Sequence, residues 1–193
     1  MCTEPVYNIH NTVLTPEKTV KLLGVTLDQH LTFGPHVKEV VSRCQGTLGV
    51  LARSVSLMTK DLLRLTYIAL IRSVLEYCSS LLVSAASIHT KKLDIIEKKA
   101  ARIILRQPRD AHAEPLLKEL NLVPLSDRRA AHAIKIAKSI VNESCHPALH
   151  SMFSLLPDST VEILPTRTLL CKRRYSIAGA KLYNDTLKYT MIA

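Results

Sequence analysis

Residues 91–106 read Lys-Lys-Leu-Asp-Ile-Ile-Glu-Lys-Lys-Ala-Ala-Arg-Ile-Ile-Leu-Arg. At about 100° per residue, Leu93, Ile96, Ala100, Ile103 and Ile104 share one arc of a helix. Lys91, Lys92, Lys98, Lys99, Arg102 and Arg106 fall in the adjacent arc, with Ile95 the one apolar intruder. One side of this helix packs, and its neighbour presents cations that only Asp94 and Glu97 offset locally. Pro108 closes the helix because its ring blocks the next turn.

The segment before it is more apolar still. Thr59 is placed to cap a helix predicted over about Lys60–Val83, with Asp61 near its positive end. Leu62, Leu63, Leu65, Tyr67, Ile68, Leu70, Ile71, Val74, Leu75, Cys78, Leu81 and Leu82 leave it almost no polar side, which predicts the centre of a bundle. Upstream, Pro35 suits a first helical turn. Val37, Val40, Val41, Cys44, Leu48, Leu51 and Val55 then recur at three- and four-residue spacing. Gly46 and Gly49 weaken that helix by up to about 1 kcal/mol each unless they admit a close neighbour.

Residues 1–35 differ. Val20–Leu27 is a β-rich run, Asp28-Gln29-His30 is a polar break, and Leu31-Thr32-Phe33 follows, which predicts two strands joined by a tight turn. Downstream lie a short helix over Pro115–Leu120, a break at Pro124 and a helix from about Asp127 to Asn142 capped by Ser126. Residues 145–172 read as loop, and 173–189 as a short strand or turn with a last helix. The fold class is therefore mainly α: a helical bundle preceded by a short N-terminal β-hairpin. Three regions are predicted, 1–35, 36–110 and 111–193.

The 193 residues suffice for a core without covalent staples, and 47% apolar content excludes a disordered tail. The net charge of +10 is uneven. Residues 1–40 carry −1, 41–110 carry +7 and 111–193 carry +4. Such a basic middle segment suits an anionic partner, nucleic acid being the commonest, although a merely solvated basic surface reads the same way. Five cysteines without a CxxC pair, and no secretory signal, predict a reducing, intracellular setting in nucleus or cytoplasm. Cys44 and Cys78 are expected as small core residues. Arg64, Arg72 and Glu76 interrupt the most apolar stretch, so no membrane partner is expected.

Catalytic patterns are sparse. The aspartates are scattered, without the doublet that two-metal phosphoryl transfer favours. His112-Ala113-Glu114 is half of a zinc-deaminase signature that lacks its Pro-Cys-x-x-Cys half. Cys145, His146 and His150 have loosely metal-like spacing without an obvious fourth ligand. His132 reads as packing or surface, and Tyr67 and Tyr77 as core or core edge. With two Phe and no Trp, an aromatic platform for single strands is not expected.

Several segments together resemble non-LTR retrotransposon reverse transcriptases, the jockey-like LINE elements. Val20–Asp28 with Leu31-Thr32-Phe33 and His36-Val37 is similar to their YLGV-x-LD…LTW-x-PHI stretch. Tyr67–Tyr77 resembles Y-x-AL-x-RPVLEY, and Ile95–Ile104 resembles LE-x-x-Q-x-x-A-x-RII. Leu116–Leu120 with Val123-Pro124-Leu125 and Arg128-Arg129 resembles LL-x-EL-x-W-x-PL-x-x-RR, and Arg173–Asn184 resembles RRSFS-x-AGPKLWN. Leu22 stands for Tyr, Phe33 and Tyr183 for Trp, and Ser73 for Pro.

The resemblance implies a chain lying after the catalytic palm. Residues 1–35 would hold the end of the palm with a primer-grip-like hairpin at Leu23, Gly24 and Val25. Residues 36–110 would form the thumb, and the rest a post-thumb region. It implies no catalytic residue, metal site or cofactor in this chain, Mg²⁺ belonging to the absent palm. The implied partners are an RNA–DNA template-primer and the palm of a parent polymerase, with the cations of residues 91–106 on the phosphates. Met1 would then be an internal methionine of a truncated copy. Two other classes remain open: a helical protein-interaction module that self-associates, or a remnant, on the apolar character of 62–83; and an enzyme of another kind.

Overall fold

A computed structural model describes residues 7–9, 12–14, 17–163, 165–168, 171 and 174–190. Two antiparallel hairpins come first: β1 (Tyr7–Ile9) with β2 (Thr12–Leu14), and β3 (Thr19–Leu22) with β4 (Val25–Asp28). The helices are α1 (Gly34–Arg53), α2 (Lys60–Tyr67), α3 (Ser73–Glu76), α4 (Ser87–Ile104), α5 (Ala113–Glu119), α6 (Leu125–Val141) and α7 (Tyr175–Thr190). A mainly helical chain preceded by β-hairpin structure is what the sequence pattern predicts.

The second hairpin turns elsewhere than expected. Leu22 pairs with Val25, so the turn is Leu23-Gly24, inside the run read as one strand. Both residues have positive φ, 46° and 80°, the geometry of a two-residue turn whose twist matches its strands. Glycine takes that conformation without strain. Leu31–Phe33 is not a strand, because Asp28 claims its amides. The Asp28 carboxylate accepts from Thr32 N at 3.1 Å, Thr32 Oγ1 at 2.9 Å and Phe33 N at 2.7 Å. Partial burial opposes the charge on Asp28, but those hydrogen bonds outweigh it and hold its carboxyl below the usual range. The resulting bend delivers Pro35 into the first turn of α1.

The long apolar helix is also reshaped. Thr59 caps α2 by accepting from Leu62 N at 3.4 Å. After Tyr67 the chain widens into a π-turn over Ile68–Arg72 before α3. The buried residues Leu63, Tyr67, Ile71 and Leu75 recur strictly every four positions. On a regular α-helix that spacing drifts by about 40° per step; one wider turn keeps the row facing the core. The helix stops at Glu76, not Val83, because Tyr77 turns to an extended ψ and Cys78 takes a φ of 51°. Residues Leu81–Ser84 form a separate 3₁₀ turn. Nor is the segment buried all round: Leu62, Leu65 and Leu70 face outward.

Helices α1 and α4 lie side by side and parallel. The His89 imidazole packs on Gly34 so closely that a Cβ there would lie 2.9 Å from Nε2, and Arg106 Nη2 reaches Val55 O at 2.8 Å. Gly46 and Gly49 do not serve this packing, since a Cβ at Gly46 would meet nothing and one at Gly49 only the tip of Arg53. Val37, Cys44, Leu48, Leu63, Tyr67, Ile71, Leu93, Ile96, Ala100 and Leu125 form one core with Val25 and Phe33 of the N-terminal segment. A second core joins Ala137 and Ile140 of α6 to Phe153, Val161, Ala180 and Tyr183. The loop before α7 holds a 3₁₀ turn at Pro147–Met152 and a bridge between Leu155 and Val161.

Within α2, Leu63 and Leu65 separate two fates. Leu63→Ala should lower unfolding stability by about 2–5 kcal/mol in urea titrations, while Leu65→Ala should stay within about 0.5 kcal/mol of the parent. Equal losses would show that the burial described for α2 is wrong.

Candidate nucleic-acid interface

Lys91, Lys92, Lys98 and Lys99 are exposed on α4, and none forms an ion pair among the described residues. Ile95 sits among them, half exposed. The two arginines are placed differently. Arg102 is partly buried, and its Nε donates to Ala111 O at 2.8 Å. Arg106 lies beyond the end of α4 at a φ of 54°, tied to Val55 O. Residues Ser87–Thr90 extend the helix by a turn upstream, and Leu105-Arg106 fall outside it. The structure thus offers four untethered ammonium groups and two guanidinium groups that each spend one donor on the fold.

The acids predicted to offset these cations do not act locally. Glu97 is 2% exposed, and its Oε2 accepts from Leu125 N at 2.9 Å. It occupies the first amide of α6, which therefore starts at Leu125, without a Ser126 cap. Ser126 Oγ donates to Asp127 Oδ1 instead. Burial pushes the Glu97 carboxyl above the ordinary range, against the Leu125 hydrogen bond and the Arg72 charge. The Tyr67 hydroxyl is buried beside Glu97, and burial and the Glu97 charge push its pKa up. Asp94 Oδ1 accepts from Arg129 Nη2 at 2.8 Å.

A cluster that sequence reasoning missed surrounds these two. Glu76 accepts from Arg72 Nε at 2.7 Å and from both Nε and Nη2 of Arg128. Arg72 Nη2 donates to Val123 O at 2.6 Å, and Arg64 Nε donates to Leu120 O at 2.6 Å. Burial opposes the Glu76 charge, yet the two arginines hold its carboxyl below the usual range. One signal was available: Glu97 shares the apolar side of α4 with Leu93, Ala100 and Ile104, where a lone acid needs a partner.

The hairpin trio separates. Val25 is in the core, Leu23 is exposed, and Leu23 O accepts from Tyr77 Oη at 2.6 Å. Tyr77 is thus half exposed and pins the turn, while Tyr67 is fully buried. Gly24 borders a cleft of about 480 Å³ with Lys21, His36, Glu39, Arg43 and Tyr77. Burial keeps His36 below its ordinary pKa, Lys21 acts the same way and Glu39 against it.

The other candidates acquire structural partners. His146 Nδ1 accepts from Ala148 N at 3.2 Å, and His150 Nε2 lies 3.2 Å from Cys145 O. No group of three or more His, Cys, Asp or Glu among the described residues could hold a metal ion. His132 Nδ1 pairs with Ser79 Oγ at 2.8 Å, but Ser79 is buried and closed to a substrate. Cys44 is in the core and Cys78 packs against it. No described helix is long and apolar enough to cross a membrane.

The chain is 28% identical over 133 residues to a probable RNA-directed DNA polymerase from transposon BS of Drosophila melanogaster. The match covers 67% of this chain and 15% of that protein. This similarity supports a related origin with reverse-transcriptase-type polymerases. No protein-family model matches the chain. No solved structure matches it either.

Glu76 and Glu97 predict opposite responses. Glu76 is held below its unfolded value near 4.5, so its stabilisation is present above that pH and lost as pH falls through the folded value. Glu76→Gln should therefore cost on the order of 2–3 kcal/mol at neutral pH, less than a fully buried pair because Arg128 is partly open to solvent. Glu97 is raised, so its contribution is full below about pH 4.5 and is lost as pH rises through the folded value. Glu97→Gln keeps an acceptor for Leu125 N and should be neutral or stabilising at pH 7. Urea titrations at pH 7 and pH 4 read both; the same sign for both variants at pH 7 would contradict the assignment.

Proposed function

We propose that this chain is the non-catalytic C-terminal portion of a retroelement RNA-directed DNA polymerase, of the jockey-like LINE type, and that α4 grips template-primer nucleic acid by its phosphates. The observation that carries this reading is the run of Lys91, Lys92, Lys98 and Lys99 on one exposed face, without an ion pair among the described residues and with both neighbouring acids drawn inward. Such a face neutralises backbone charge and releases counterions without reading bases. The similarity to the transposon polymerase supports the polymerase side of the proposal. In this reading residues 36–110 are the thumb, the hairpin turn at Leu23-Gly24 is the primer-grip end of a palm, and the chemistry belongs to a palm outside this chain. Mg²⁺ would be held there, and isolated chain should incorporate no nucleotide.

The exposed leucines in and around α2 favour a second reading, a helical protein-interaction module. Leu57, Leu62, Leu65 and Leu70 stay accessible on a segment that is otherwise core. Sedimentation at several concentrations separates the two, since a monomer that binds no apolar dye removes the basis of the module.

The test of the main reading is fluorescence anisotropy with a labelled RNA–DNA primer-template across a salt series. Four to six phosphate contacts predict a slope of log K against log salt of about −3.5 to −5.5. Lys91→Glu, Lys98→Glu and Lys99→Glu combined should flatten it by at least about 2.5. Arg102 and Arg106 are left intact because each also holds a loop. An unchanged slope would overturn the assignment of α4.

A further inference from the structure

Asp94 follows Lys91 by three residues and precedes Lys98 by four. Those are the spacings at which side chains on one helix touch, so Asp94 is placed to neutralise both lysines. It does not. Its Oδ1 takes Arg129 Nη2 from α6 at 2.8 Å, and neither lysine forms an ion pair among the described residues. The Arg129 side chain is 7% exposed, that of Asp94 25%.

We propose that Arg129 is a positioning residue for the nucleic-acid face: by holding Asp94 toward α6, it keeps Lys91 and Lys98 uncompensated and available to phosphate. This rests on the reading of α4 as the phosphate-contacting helix. It makes α6 part of the binding device without any contact to the nucleic acid. Glu97 is withdrawn in the same direction, its carboxylate committed to the first amide of α6. Both acids of the basic helix are thus turned away by one neighbour.

Stability alone is a poor reason for Arg129. A buried ion pair is often matched or bettered by apolar side chains of similar volume. Here Arg129 Nη1 is buried without a hydrogen-bond partner among the described residues, a further cost that an apolar residue would avoid. What an apolar residue could not do is occupy the Asp94 carboxylate.

The experiment uses the full chain with the same RNA–DNA primer-template, comparing the parent with R129M, D94N and D94N/R129M, each checked by thermal melting. In R129M the freed carboxylate should cancel about one phosphate contact. The slope should lose about 1, and affinity near 0.1 M salt should fall roughly eightfold. D94N/R129M should return to within about twofold of the parent, because no carboxylate is left to compete. D94N alone should leave slope and affinity unchanged. R129M binding like the parent overturns the proposal, as does a double variant as weak as R129M, which would mark a scaffold defect. D94N can overturn the proposal even if R129M does not fold. Tighter, steeper binding by D94N would show that Asp94 already neutralises the lysines, and overturns the proposal. A parent chain whose binding is weak and insensitive to salt would instead sink the reading of α4 itself, an outcome distinct from the others.

Discussion

The arrangement of this molecule depends on where three carboxylates point. Glu76, Asp94 and Glu97 leave α3 and α4 toward the start of α6, and Arg72, Arg128, Arg129 and the Leu125 amide meet them. Buried charge is costly unless paired, and paired charge is directional. The junction therefore sets the position of α6 on the bundle more narrowly than apolar contact would. Around it the chain 120–125 is held by carbonyls that accept from Arg64 and Arg72.

The same junction shapes the surface. Drawn inward, these acids form no ion pair with the cations beside them among the described residues, so the packing of α6 and the exposed charge of α4 go with one set of hydrogen bonds. Residues 91–106 carry six cations and two acids in sequence; α6 engages both acids, while Lys91, Lys92, Lys98 and Lys99 stay exposed. The strain tolerated nearby fits this economy. Cys78 holds a left-handed backbone and the preceding segment a π-turn, both within a few residues of Glu76.

Much of this was legible beforehand. The three- and four-residue spacing of Val37, Cys44, Leu48 and Leu51 placed α1, and Thr59 marked the start of α2. Leu93, Ile96, Ala100 and Ile104 identified the inner side of α4, because helical periodicity is a local property of the chain. The misreadings have one cause. The turn at Leu23-Gly24 competes with Asp28–His30, and a local pattern cannot show that Asp28 bonds to Thr32 and Phe33. Where α3 ends, Tyr77 leaves the helix and its hydroxyl donates to Leu23 O, 54 positions away.

The amino-acid order alone determined the helical class, the leading β-structure and which side of residues 91–106 carries charge, since these follow from side-chain spacing and backbone preference. It also carried the similarity to a transposon polymerase. Tertiary structure decided which charges remain uncompensated. Whether Asp94 faces Lys98 or Arg129 turns on a neighbour 35 residues away, and only folding sets that distance.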